Sequence, residues 1–151
     1  KGKSTIANLP IKFHNASIDY EIIDINCNEL KAFKPFSLNI EYKVLKAGKN
    51  LSIGLAMMNR NHKGFSLSID PGSTGNNLSS EIGSFQMDVQ YPYLPCHVGE
   101  YDLYVSLWNG NFLEEVSKQK LIINVRGTQL RGSGQKTGFQ VCPSDFENHR
   151  L

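Results

Sequence analysis

The sequence predicts an all-β fold, an antiparallel β-sandwich, on three observations. Apolar residues recur with period two along several runs, turn-forming residues separate those runs, and no window longer than about ten residues carries the 3.6-residue period of an amphipathic helix. The chain has 151 residues, the size of one domain. That length can bury roughly 70% of the surface of the unfolded chain. A hydrophobic fraction of 40% and an aromatic fraction of 10% are those of a folding chain, not a disordered one.

Residues 1–10 read as a linker from an upstream domain. Lys1-Gly-Lys-Ser-Thr5 carries neither an initiator Met nor the apolar core of a signal sequence. Ile11–Phe13 is a short strand. From Ser17 to Ile25, Ile18, Tyr20 and Ile22 alternate, then the phase switches to Ile23 and Ile25, which predicts a bulge. Phe36, Leu38, Ile40, Tyr42 and Val44 fall on one face of the clearest strand, with Ser37, Asn39, Glu41 and Lys43 on the other. Leu51, Ile53, Leu55 and Met57 alternate with Ser52, Gly54, Ala56 and Met58. Phe65–Ile69 is another strand, and Phe85, Met87 and Val89 mark the next, against Ser84, Gln86, Asp88 and Gln90. Tyr101, Leu103, Val105 and Leu107 face away from Asp102, Tyr104, Ser106 and Trp108. Leu121, Ile123 and Val125 close the series against Lys120, Ile122, Asn124 and Arg126. Turn-rich stretches separate these runs at residues 46–50, 59–64, 71–77 and 109–111.

Gly99-Glu-Tyr101 opens a late strand in the manner of a tyrosine corner, where the phenol closes onto nearby backbone. The fold class is therefore read as immunoglobulin-like, with Tyr101 a structural residue and the sandwich spanning residues 11–126. Residues 127–151 form a glycine-rich connector (127–138), a short strand at Phe139–Cys142 and a polar tail, Ser144–Leu151, expected to fray. The terminal strand can pair with its own sheet or with that of a second copy. Strand exchange is preferred, and a homodimer is expected.

Charge and cysteine use exclude several functions. Sixteen Lys and Arg against 14 Asp and Glu give a net charge of +2, scattered with no basic stripe, so no nucleic-acid partner is expected. No apolar run approaches the ~20 residues of a membrane helix. The three cysteines, Cys27, Cys96 and Cys142, are odd in number and widely spaced, which reads as reduced thiols; the alternative is a secreted domain with one bridge. Asn15, Asn50 and Asn77 head glycosylation triplets of the kind that arise by chance. His14, His62, His97 and His149 form no metal-binding array, so no metal and no cofactor are expected. The glycine-rich 71–77 stretch lacks the Gly-Lys-Ser/Thr of a phosphate cradle. No catalytic residue is assigned: the carboxylates fall on outward faces or in loops, and only Asp88 and Asp102 come near the aromatic row if the chain is a glycosidase.

That row is the positive signal. Tyr104, Ser106 and Trp108 share one face of one strand, about 7 Å apart in succession. The predicted neighbours are Leu51–Asn59, with small outward residues, and the strand around Lys118–Arg126. A ring and a phenol beside a low strip make a shallow groove suited to carbohydrate. A pyranose packs its C–H face on an aromatic ring, and its hydroxyls take donors and acceptors at the rim. The candidate site is Trp108 and Tyr104 for stacking, with Ser106, Asn124, Lys120 and Gln86 for hydrogen bonds. The alternative is an adhesin-like protein-interaction module that works through its sheet edges.

The stretch from Glu81 to Val89, then Tyr93-Leu94, Val98–Leu107 and Leu121–Val125, resembles the C-terminal domain of the O-antigen polysaccharide ABC exporters, the Wzt family. Ser52–Asn59 followed by Gly64 is similar to that family's strand, Asn, turn and Gly segment, and the resemblance runs from about Ile18 to Val125. It implies a non-catalytic domain that binds a bacterial lipopolysaccharide O-antigen chain, at its non-reducing end, to couple recognition to export. It also implies an upstream ATP-binding domain, a membrane permease and a cytoplasmic location at the inner face of the inner membrane. The family supplies no short sugar-binding motif, so the site residues rest on strand faces alone.

Overall fold

The computed structural model describes residues 3–5, 10–14, 19–46, 50–61, 65–68, 77–110, 112–116, 121–127, 138–141 and 145–151. All regular structure among them is strand. In chain order the strands are β1 (Lys3–Thr5), β2 (Ile11–His14), β3 (Asp19–Asn28), β4 (Leu30–Lys31), β5 (Phe36–Lys46), β6 (Ser52–Asn59) and β7 (Phe65–Ser68). They continue with β8 (Gly83–Tyr91), β9 (Gly99–Asn109), β10 (Phe112–Val116), β11 (Leu121–Arg126), β12 (Gly138–Val141) and β13 (Asp145–Arg150). The first sheet runs β1-β3-β5-β8-β13, with β2 also on β3. The second runs β12-β7-β6-β9-β11-β4, with β10 also on β9. Pairing is antiparallel except for β4 on β11 and β12 on β7, which are parallel. The chain is an all-β sandwich, as predicted.

The period-two rows become the core. In β5, Phe36, Leu38, Ile40, Tyr42 and Val44 are all buried, whereas Ser37, Asn39 and Glu41 are half-buried and Lys43 is exposed. The same alternation runs through β8, β9 and β11. Each large aliphatic or aromatic side chain buried this way contributes roughly 1.5–3 kcal/mol. The phase switch in β3 is a bulge: the register against β5 slips between Ile22 and Asp24. The slip returns Ile25 to the inner face, so Ile22 and Ile25 are both fully buried despite the odd spacing.

Tyr101 is a structural residue. Its side chain is fully buried and its hydroxyl donates to the carbonyl of His97 at 2.8 Å, locking the turn into β9. The His97 ring meets Phe33 edge-on at 5.4 Å. Phe33 itself has φ of 60°, a left-handed conformation unusual for a bulky residue. Backbone bonds from Phe33 to Leu94 and from Leu94 to Lys34 hold it there.

A pair of tyrosines braces the other end. Tyr20 and Tyr42 stack 6.4 Å apart. The Tyr20 hydroxyl donates to Ser79 carbonyl at 2.7 Å, and the Ser79 amide donates to the Tyr42 oxygen at 3.0 Å. Burial, then the neighbouring Tyr42, pushes the Tyr20 phenol up to about 12. Burial also raises Tyr42. Since the folded values lie above the unfolded value of about 10, their stabilising effect is complete below pH 10 and is lost as pH rises toward 12. The urea midpoint should therefore fall steadily from about pH 10 to 11.5. Tyr20→Phe should flatten that fall, and an equally steep fall in the variant would contradict the assignment.

The ends of the chain differ from expectation. Lys3–Thr5 lies within the predicted linker yet pairs with β3, from Lys3 opposite Asn28 to Thr5 opposite Asn26. The tail predicted to fray is β13, laid against β8 from Asp145 opposite Gln90 to Arg150 opposite Phe85. Its order comes from partners remote in sequence. Tyr42 donates to Asn148 Oδ1 at 3.1 Å, Asn148 Nδ2 donates to Asn77 carbonyl at 3.0 Å, and the Arg150 guanidinium sits 4.7 Å over the Phe85 ring. The predicted terminal strand is present as β12 at the edge of the second sheet, on β7 of its own chain. Two short elements were not foreseen, β4 and β10. Cys27 and Cys96 are buried thiols. Lys120, Cys142, His62, most of the 71–77 stretch and most of the connector lie outside the described residues.

Candidate functional site

The outward face of the second sheet carries the aromatic row. β9 is central: β6 pairs along one side, while β10 and β11 share the other. Inward residues 101, 103, 105 and 107 are buried; Asp102, Tyr104, Ser106 and Trp108 face out and are half-buried. Register sets Ser52 opposite Trp108, Gly54 opposite Ser106, Ala56 opposite Tyr104 and Met58 opposite Asp102. The strip beside the row is therefore low, as its residue types require.

Glycine at 54 decides how the indole lies. A Cβ there would stand 2.4 Å from Ser106 Oγ and 2.6 Å from Trp108 Nε1. The pyrrole edge of Trp108 thus occupies the space a side chain would fill. The ring is fixed by its own N–H, which donates to Ser106 Oγ at 2.8 Å. A stacking surface held this way loses little freedom when a ligand arrives. Gly54→Ala should displace the indole at a cost of about 1–3 kcal/mol in stability. Since Trp108 is the only tryptophan, its emission maximum should move to longer wavelength; an unchanged spectrum would contradict the packing.

Around this row lie exposed apolar side chains and one charged cluster. Leu113 sits opposite Trp108 and Val116 opposite Ser106 on β10, 49% and 41% exposed, and Ile122 on β11 is 37% exposed. Beyond Tyr104, Arg60 contacts Glu100 at 3.0 Å and Asp102 at 3.2 Å. The hydrogen bond that Arg60 donates to Glu100, then the charge of Asp102, raises its already high pKa. Asp102 is thereby an ion-pair partner.

The predicted site does not assemble whole. Trp108, Ser106 and Tyr104 stand in one row. Asn124 pairs with Glu100, eight residues along β9 from Trp108 and so about 26 Å away, at the far end of the face. Gln86 is on the wrong sheet: it faces out from β8 in the first sheet, where its Nε2 donates to Asn39 Oδ1 at 2.9 Å. Asp88 shares that sheet, so Asp88 and Asp102 lie on opposite faces of the sandwich and form no carboxylate pair beside Trp108. Among the described residues no three His, Cys, Asp or Glu side chains are placed to hold a metal ion.

The sequence reading missed the polar surface of the first sheet. Asn26, Asn39 and Asp88 stand side by side across β3, β5 and β8, with Ser37 and Gln90 in the next row. They border a cleft of about 100 Å³, also lined by Cys27 and Leu38, whose side chains point inward to the core. A signal existed: outward positions of three strong strands carry Asn, Ser, Asp and Gln where Lys and Glu are the commoner surface choice.

Compared with family models, with curated proteins and with solved structures, the chain matches none of them.

Proposed function

We propose that the chain is a non-catalytic carbohydrate-binding domain that recognises a bacterial polysaccharide through the outer face of its second sheet. The observation that supports it most is the Trp108 indole, seated over Gly54 and tied to Ser106, in line with Tyr104. The two rings lie four residues apart on one strand, about 13 Å, too far to share one sugar ring. The groove suits a chain of sugars, with Ser52, Ser106 and Arg60 as hydrogen-bonding neighbours.

The family resemblance gives this reading its context: an immunoglobulin-like domain of an O-antigen ABC exporter, working beside an ATP-binding domain and a permease at the cytoplasmic face of the inner membrane. Sugars lose well-solvated hydroxyls on binding, so one site would have an affinity on the order of micromolar to millimolar, and a homodimer would gain by avidity. The test is titration of the full chain with O-antigen polysaccharides, with and without terminal modification, followed by Trp108 emission. A saturable change with one polymer supports the reading, and no change with any polymer overturns it.

A second reading is a protein-interaction module, working through this face and not through the sheet edges expected from the sequence; it is favoured by exposed Leu113, Val116 and Ile122 beside the row. It predicts that the same face captures a protein segment and ignores polysaccharide.

A further inference from the structure

We infer that the outer face of the first sheet holds a second, independent saccharide subsite centred on Asp88. The cleft there has a volume of about 100 Å³. That is far below the roughly 300–1,000 Å³ of a pocket that engulfs a small molecule, so it takes one edge of a ring with its hydroxyls. It exists because Ser37 is short, between the longer Asn39 and Gln90 at the rim.

The lining selects the ligand class. Among the described residues, no Lys or Arg lines the cleft. The one carboxylate that lines the cleft is already engaged by Asn39 and His149, which makes it a poor seat for a cation, and no group of three metal-holding side chains is found among the described residues. The remaining chemistry is amide, hydroxyl and carboxylate, which matches the hydroxyls of a neutral polyhydroxylated ring.

The carboxylate is oriented in advance. Gln86 Nε2 donates to Asn39 Oδ1 at 2.9 Å, Asn39 Nδ2 donates to Asp88 Oδ1 at 2.5 Å, and His149 Nε2 stands 3.3 Å from Asp88 Oδ2. Each oxygen of Asp88 keeps another lone pair, so the pair can accept from two neighbouring sugar hydroxyls. Asn26, whose Nδ2 is engaged by Asp24 at 2.6 Å, contributes its Oδ1 as acceptor, and Gln90 brings both a donor and an acceptor. Hydrogen bonds to a fixed charge are the stronger kind, which places most of the affinity on Asp88.

This site shares no residue with the Trp108 row and does not rest on it. The test is amide NMR of the full chain titrated with methyl glucoside, methyl galactoside and methyl mannoside, against tetrahydropyran and inorganic phosphate. At least one glycoside should produce saturable shifts at the amides of Asn39, Asp88 and Gln90, with none from tetrahydropyran or phosphate. Asp88→Asn should weaken that binding about tenfold. Gln90→Ala, a change at an exposed side chain that leaves the fold alone, should weaken it too. Trp108→Ala should leave these shifts unchanged while removing polysaccharide binding at the other face. Silence with all three glycosides, equal shifts from tetrahydropyran or phosphate, or an unaffected Asp88→Asn would each overturn the inference.

Discussion

Trp108→Ala is expected to abolish polysaccharide binding while leaving the folded chain nearly as stable as before. The ring faces out from β9 and is half-buried, so its removal opens no cavity between the sheets. A stability change within about 1 kcal/mol is the expectation for such a site. Binding has more to lose. If a sugar ring covers about 80 Å² of the indole, the lost contact is about 2 kcal/mol, or roughly thirtyfold. A site that begins at micromolar to millimolar affinity then falls out of reach of calorimetry. Ser106→Ala should give an intermediate loss, because the indole stays but its N–H loses the oxygen that fixes its angle. Tyr104→Ala separates one-ring from two-ring engagement: a short oligosaccharide bound at Trp108 alone would not feel it, whereas a chain long enough to reach both rings would. Trp108→Ala binding at wild-type strength would remove the site from this face.

The same residues show what a sequence can and cannot reveal. Alternation in Phe36–Val44 and Tyr101–Leu107 exposes the core directly, because a sheet with one wet face must place apolar residues at every second position. The bulge at Ile22 and Asp24 is also legible, as the only way to keep Ile22 and Ile25 on one side. Tyr101 is legible because its corner is local, four residues from His97. What period two cannot give is which sheet a strand joins. Gln86 and Trp108 are both outward, but outward from different sheets, and no alternation distinguishes them. Register is equally hidden: Asn124 faces the right side of β11 yet meets Glu100, far from Trp108. β10 escapes notice because its bulge between Leu113 and Glu115 breaks the alternation. The Asp88 cleft is drawn from three strands distant in sequence and only exists once they are paired.

Removing residues 145–151 should lower stability by about 2–3 kcal/mol, although the sequence alone makes this segment look dispensable. The ladder bonds of β13 and the entropy of ordering its backbone are of similar size and largely cancel. The surplus lies in its side chains. Asn148 joins Tyr42 to Asn77, two hydrogen bonds of about 1 kcal/mol each. Arg150 lies over Phe85 and reaches Glu81 at 2.9 Å, both partly exposed and together about 1 kcal/mol. At this chain length the melting temperature should drop by roughly 4–12 °C. Arg150→Ala alone should account for about a third of that drop. Calorimetry of the two variants measures both figures, and an unchanged midpoint in the truncated chain would mean that β13 contributes nothing. The truncation also exposes the edge of β8 from Phe85 to Gln90, a row of unpaired backbone groups ready for another strand. A synthetic peptide of residues 145–151 should therefore restore the melting temperature. Strand exchange through the Phe139–Cys142 segment is tested by the longer deletion of residues 132–151: light scattering should show a dimer for the full chain and a monomer for that deletion, and an unchanged mass would reject exchange.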